Sequence, residues 1–186
     1  SQHCRRPLVV TDRALAKLPV AHAFIQQLRD SGLYVSGGDG VSGNPTGSQA
    51  MAGGAAARAH RADAIVGLGG GAALDIAKAV LVIASHDGDV LEYAWDHPRV
   101  RPMDRELPYF VAVPTTAGTG SEVGRSAVVS DDATHVKKIL FSPRLLARIV
   151  FADPVLTLDL PAPVTAATGM DALTHNIESY LSPAYH

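Results

Sequence analysis

The stretch AIVGLGGGAALDIAKAVLVIA, residues 64–84, decides the fold. Residues 64–68 are an unbroken apolar run, which reads as a buried strand. Gly69, Gly70 and Gly71 form a turn, and residues 72–84 carry apolar positions at helical spacing, with Leu74, Ala77 and Leu81 on one face and Lys78 interrupting the run. A buried strand joined by glycines to a helix is half of a parallel βαβ unit. Three glycines let backbone N–H groups approach a phosphate, and the helix start behind them favours negative charge. A tight β–α turn with no ligand is the other reading. The spacing Gly67-x-Gly69-x-x-Ala72 fits a dinucleotide fingerprint only weakly, because the acidic residues near the required distance, Asp87 and Asp89, fall in a polar loop.

The same alternation extends both ways along the chain. Upstream, residues 7–11 (PLVVT) read as a strand, residues 21–31 as a helix with Ala21, Phe24, Ile25 and Leu28 inward, and residues 33–35 as a second short strand. Residues 37–47 read as a glycine-rich loop, and Thr46 caps a helix reaching His60. Downstream, residues 87–108 are a polar, proline-bearing excursion, and residues 109–113 a strand followed by a second Gly/Thr loop at 114–122. Residues 126–130 and 138–141 read as a strand pair about the polar turn 131–134, residues 149–152 as a last strand, and residues 164–181 as an amphipathic helix punctuated at its start by Pro161 and Pro163. Strands alternating with helices imply an α/β domain with a mostly parallel sheet, which binds ligands at the carboxyl ends of its strands. The terminal helix either packs on that sheet or opens a further domain.

Composition narrows the function. Of 186 residues, 47% are hydrophobic and 18% charged, enough apolar material for a sizeable core. The net charge of −2 offers no basic excess for nucleic acid. The one cysteine, Cys4, excludes an internal disulfide framework and fits a reducing, cytoplasmic compartment. No run approaches the ~20 apolar residues of a membrane span. No Gly-x-Ser-x-Gly occurs, and Cys4, though beside Arg5 and Arg6, lies in a terminus poorly suited to a nucleophile.

Three further features can carry chemistry. Asp39–Gly40 follows the second strand; a carboxylate there accepts hydrogen bonds from ribose hydroxyls and repels a 2′-phosphate, although an ordinary Asp–Gly turn reads the same way. The loop PTTAGTGSE, residues 114–122, offers four hydroxyls after an apolar strand, suited to a phosphate or sugar. Asp171 and His175, four apart, share one face of the last helix. A carboxylate and an imidazole form half of a divalent-metal site; an i,i+4 hydrogen bond on a solvated face is the alternative, and two ligands are too few alone.

Four segments together resemble one family. Asp39-Gly40-Val41-Ser42-Gly43-Asn44-Pro45 resembles its Asp-Gly-Val-x-x-Asn-Pro loop, and Gly69-Gly70-Gly71-Ala72-Ala73-Leu74-Asp75-Ile76-Ala77-Lys78 its Gly-Gly-Gly-Ser-x-x-Asp-x-Ala-Lys motif. PTTAGTGSEV, residues 114–123, is similar to its cofactor loop, and AATGMDALTHNIESY, residues 166–180, to its metal-binding helix. By these motifs, in the expected order, the chain is identified as a member of the iron-containing, or group III, alcohol dehydrogenases. The resemblance implies a dehydroquinate synthase-like fold: a Rossmann-like α/β dinucleotide-binding domain, residues 1–158, then the start of an all-helical metal-binding domain, residues 159–186.

It also implies roles. Asp39 would contact the adenine ribose and bias the site toward NAD over NADP. Gly70, Gly71 and Ala72 would cradle the pyrophosphate; Thr115, Thr116 and Thr119 would line the cofactor groove. Lys137, or the competing Lys138, would be the cofactor-contacting lysine. Asp171 and His175 would be the first two ligands of Fe(II) or Zn(II). The implied reaction moves a hydride between a small-molecule alcohol and NAD, with an aldehyde or ketone in reverse. The expected partners are that substrate and, at full length, further copies of the chain; no nucleic acid and no membrane is expected. The sequence departs from the pattern at Ala72, where serine is usual, at Gly124 for threonine and at Gly43 for proline. It also stops before the helical region in which the family places further histidine ligands, so a fragment of a longer protein is the expectation. A nucleotide-binding fragment without catalysis, and a relative of the glycerol dehydrogenase or maleylacetate reductase type, remain as alternatives.

Overall fold

The computed structural model describes residues 4–183. Strands β1 (Pro7–Asp12), β2 (Ser36–Val41), β3 (Ala64–Gly69), β4 (Tyr109–Pro114) and β7 (Ile149–Val150) form one parallel sheet in the order β2-β1-β3-β4-β7. The chain returns past β1 between β2 and β3, so the switch point that favours ligand binding lies at the carboxyl ends of β1 and β3.

Alternation along each central strand builds two cores. Leu8 and Val10 of β1, Ile65 of β3 and Phe110 and Ala112 of β4 face α2 (Gly47–His60) and α3 (Gly71–Ser85). Val9, Val66, Leu68 and Val113 face the opposite side, against Ala21, Phe24, Ile25 and Leu28 of α1 (Pro19–Asp30). Burial on both faces is why the strands read as continuous apolar runs. The Gly- and Ala-rich face of α2 has a steric cause: a Cβ on Gly53 or Gly54 would collide with Val80 or Ile83 of α3. Thr46 caps α2 through a reciprocal box with Gln49, as its position in the sequence predicts.

The structure departs from the sequence reading at β2. Residues 33–35 are not a strand, and Ser36–Val41, of which residues 37–41 read as the start of a loop, is one. SGGDGV has almost no intrinsic strand preference, so its conformation comes from pairing at the sheet edge with β1. A bulge sets Asp39 and Gly40 opposite Thr11 alone. The excursion at 87–108 also contains structure, a short 3-10 helix Val90–Tyr93 with Val90 and Tyr93 buried. The last strand is shorter than predicted, Ile149–Val150.

Strands β5 (Ser126–Ser130) and β6 (Lys137–Phe141) form an antiparallel hairpin whose Ala127, Val129 and Leu140 join the α3 core. The last helix, α4 (Ala162–Leu181), buries no residue. Among the described residues no helix is long and apolar enough to cross a membrane.

Candidate functional site

The site begins where β3 becomes α3. Gly69 has φ +146°, and a Cβ there would lie 2.8 Å from the Cβ of Ala73, so glycine is needed for conformation and for space. Gly70 is the N-cap of α3, and no side chain caps the helix. The first-turn N–H groups thus keep their capacity to bind an anion. The other two glycines admit threonines rather than a ligand. A Cβ on Gly70 would lie 3.2 Å from the Thr116 hydroxyl, and one on Gly71 2.8 Å from the Thr119 methyl. Two loops predicted separately are therefore packed into one surface.

The second loop leaves β4 with Thr115 buried and donating its N–H to the Gly69 carbonyl at 3.0 Å. The Thr116 hydroxyl is buried and has no hydrogen-bond partner among the described residues. A buried hydroxyl left without a partner is costly, and a ligand's polar group reaching it would satisfy it. Thr119 Oγ1 accepts the Ser121 N–H at 3.3 Å.

A cavity of about 510 Å³ opens beside these loops, and Gly71, Ala72, Thr119, Lys137, Asp171 and His175 all line it. Successive residues of β6 point to opposite faces, which separates the two candidate lysines. Lys137 is on the cavity side; Lys138 is paired with Asp96 at 2.8 Å. The structure thus brings residues from four segments to one space. Thr115 and Thr116 do not line it; they pack against Gly69 and Gly70 beside the start of α3. The Asp39 side chain lies outside the described residues.

On α4, His175 Nε2 and Asp171 Oδ1 are 3.9 Å apart, and both side chains are about half exposed. The other ring nitrogen, Nδ1, lies 3.3 Å from the Gly118 carbonyl and donates to it. This arrangement holds the imidazole with Nε2 free beside the carboxylate, as metal-ligating histidines are commonly held. The approach needs glycine, because a Cβ on Gly118 would run into the backbone oxygen of Thr168 on α4. Among the described residues no group of three or more His, Cys, Asp or Glu could hold a metal.

Sequence reasoning missed the role of Asp75 and Lys78, although both stand in a quoted motif and Lys78 visibly interrupts an apolar run. Asp75 lines the cavity, and Lys78 is fully buried behind it. Burial pushes the Asp75 carboxyl above its usual range, against the opposing hydrogen bond from Ser121 and the charge of Lys78. Burial lowers the Lys78 ammonium, against the opposing carboxylates of Asp75 and Glu122. Cys4 goes the other way from what its arginine neighbours suggest: burial and Asp63 raise its thiol.

The family described as iron-containing alcohol dehydrogenase matches residues 1–154. The chain belongs to the iron-containing alcohol dehydrogenases.

Among curated members of this family, 4-hydroxybutyrate dehydrogenase of Cupriavidus necator is 43% identical, over 98% of this chain and 47% of that protein. The 1,3-propanediol dehydrogenase of Klebsiella pneumoniae is 39% identical, over 96% and 46%. Of solved structures, an alcohol dehydrogenase from Oenococcus oeni superposes with a TM-score of 0.90 at 35% identity, over 99% of this chain and 48% of that one. The chain spans about half the length of the curated relatives it matches. For an iron-containing alcohol dehydrogenase the donor chemistry on α4 is apt: one carboxylate and one oriented imidazole suit Fe(II) or Zn(II). The unpartnered Thr116 hydroxyl and the uncapped start of α3 likewise suit a phosphorylated cofactor.

Proposed function

We propose that the protein containing this chain is an NAD-dependent, metal-dependent alcohol dehydrogenase acting on a small-molecule alcohol or its aldehyde. The observation that carries this reading is one cavity lined by the start of α3, the Thr119 loop, Lys137, Asp171 and His175. An anion-binding helix end beside half of a metal site is the combination that metal-assisted hydride transfer requires.

In this reading residues 1–158 are the dinucleotide-binding domain and residues 159–186 begin the helical metal-binding domain. The N–H groups at Gly70, Gly71 and Ala72 bind the pyrophosphate, and Ala72 contributes no hydroxyl of its own. Thr115, Thr116 and Thr119 line the groove, with the Thr116 hydroxyl bonded to the cofactor. The Lys137 ammonium offsets negative charge at the mouth of the cavity. Asp39 favours the ribose of NAD over the 2′-phosphate of NADP. Asp171 and His175 hold the metal, Fe(II) in preference to Zn(II), and the Gly118 carbonyl keeps His175 Nε2 available. When bound, the two groups would supply Lewis acidity at the alcohol oxygen and hydride acceptance at the nicotinamide. The reading places the enzyme in the cytoplasm, as a homo-oligomer at full length.

The test is His175→Ala in the naturally expressed protein, with metal content and NAD affinity both measured. The expected result is loss of retained metal with NAD binding retained, since losing the hydrogen bond to Gly118 leaves the loop tied to β3 through Thr115 and Gly69. Equal metal content in variant and parent would overturn the assignment of His175. A second reading, nucleotide binding without catalysis, is favoured for the chain by itself by the two-donor set on α4. NAD binding without alcohol-dependent NADH formation by the naturally expressed protein would select it.

A further inference from the structure

The segment between β4 and β5 carries the threonines of the cofactor groove, yet its regular structure is confined to a single 3-10 turn, Ser121–Val123. Its shape has to come from outside, and α3 supplies it. Lys78 is fully buried, and its Nζ donates to the carbonyls of Ser121 at 2.6 Å, Gly124 at 3.0 Å and Ser126 at 2.8 Å. The Ser121 hydroxyl lies 3.1 Å from the same nitrogen. That hydroxyl donates in turn to Asp75 Oδ1 at 2.7 Å, while Asp75 Oδ2 accepts the Val128 N–H at 3.1 Å.

An ammonium can donate three hydrogen bonds, so four acceptors around one nitrogen saturate it. A charge this deep is tolerated only when fully partnered, and stability alone seldom requires one, because a well-packed apolar side chain often serves as well. What the charge adds is direction. Lys78 fixes three carbonyls of one segment relative to the helix whose first turn is the phosphate cradle. The geometry then passes through two short steps to the groove. The Ser121 N–H donates to Thr119 Oγ1, and the Thr119 methyl packs where a Gly71 Cβ would stand.

We propose that Lys78, acting with Asp75 through Ser121, is a positioning residue for the cofactor: it holds the Thr115–Thr119 hydroxyls in register with the N–H groups of Gly70–Ala72. This inference rests on the NAD-binding reading above. Lys78 lies behind the cavity and does not touch the cofactor in this account, so its effect is on affinity through the loop.

The experiment is calorimetric titration of NAD into the naturally expressed protein, its Lys78→Met variant and its Ser121→Ala variant, reading dissociation constant and stoichiometry separately. The expected result is a Kd raised roughly tenfold or more in Lys78→Met and several-fold in Ser121→Ala, where one of the linking hydrogen-bonding groups is lost, with stoichiometry unchanged. A merely structural role would lower stoichiometry and melting temperature and leave the Kd of the folded fraction where it was; that outcome overturns the inference. If Lys78→Met does not fold, Ser121→Ala decides, and an unchanged Kd there overturns it. Failure of the unsubstituted protein to bind NAD overturns the function reading, and this inference with it.

Discussion

Helices α3 and α4 deliver residues to the same cavity and are held in opposite ways. α3 buries ten residues, from Ala73 to Ile83, between the sheet, α2 and the β5–β6 hairpin. α4 buries none, and Met170, Leu173 and Ile177 stand 60%, 49% and 49% exposed. The turn at Gly70–Ala72 is therefore fixed by the core that buries α3. The Asp171–His175 pair is oriented by its meeting with the loop at Gly118, and its helix presents an uncovered apolar face. On the proposed reading, preorganisation at the cofactor end is intrinsic to this fold, and at the metal end it depends on what covers α4.

The contrast can be broken most directly by matched truncations. Leu81→Ala in α3 is expected to cost about 2–5 kcal/mol of stability, and Leu173→Ala in α4 at most ~0.5 kcal/mol. Denaturant melts of the two variants measure the difference, and similar midpoints would remove the distinction. A smaller effect sharpens it from the metal side. Gly118→Ala forces the loop away from Thr168 and takes the carbonyl from His175 Nδ1. Metal affinity is expected to fall roughly tenfold, with NAD affinity retained; parallel metal and NAD titrations check both. The smallest is Thr46→Ala, which removes one side of the α2 capping box. It is expected to cost ~1 kcal/mol in a thermal melt and to leave metal and NAD affinities alone.

What could be read in the sequence follows the same divide. The β3–α3 unit was legible because strand and helix are both apolar on their own terms, with glycines between them. β2 was not, because SGGDGV becomes a strand only by pairing with β1, a contact that no local preference encodes. In the site, Asp171 and His175 were visible as a spacing, and the threonine loop as a composition. The Gly118 carbonyl was invisible, since a backbone acceptor leaves no signature. Lys78 was conspicuous without being interpretable, because three of its four acceptors are backbone carbonyls and all lie 43 to 48 residues further along the chain.

The strand order has a consequence for the growing chain. β1 emerges from the ribosome before β2 and β3, yet it sits between them and gains its second neighbour only when residue 69 has been made. At synthesis rates of ~5–20 residues per second, Leu8, Val9 and Val10 wait several seconds for the sheet that covers them. α3 waits about as long, because Ala127 and Val129 belong to its cover and come from a hairpin completed at Phe141. Core segments of this domain are thus left open for seconds during translation, and a pause between β3 and β5 would lengthen the interval in which chaperones and neighbouring chains compete for them.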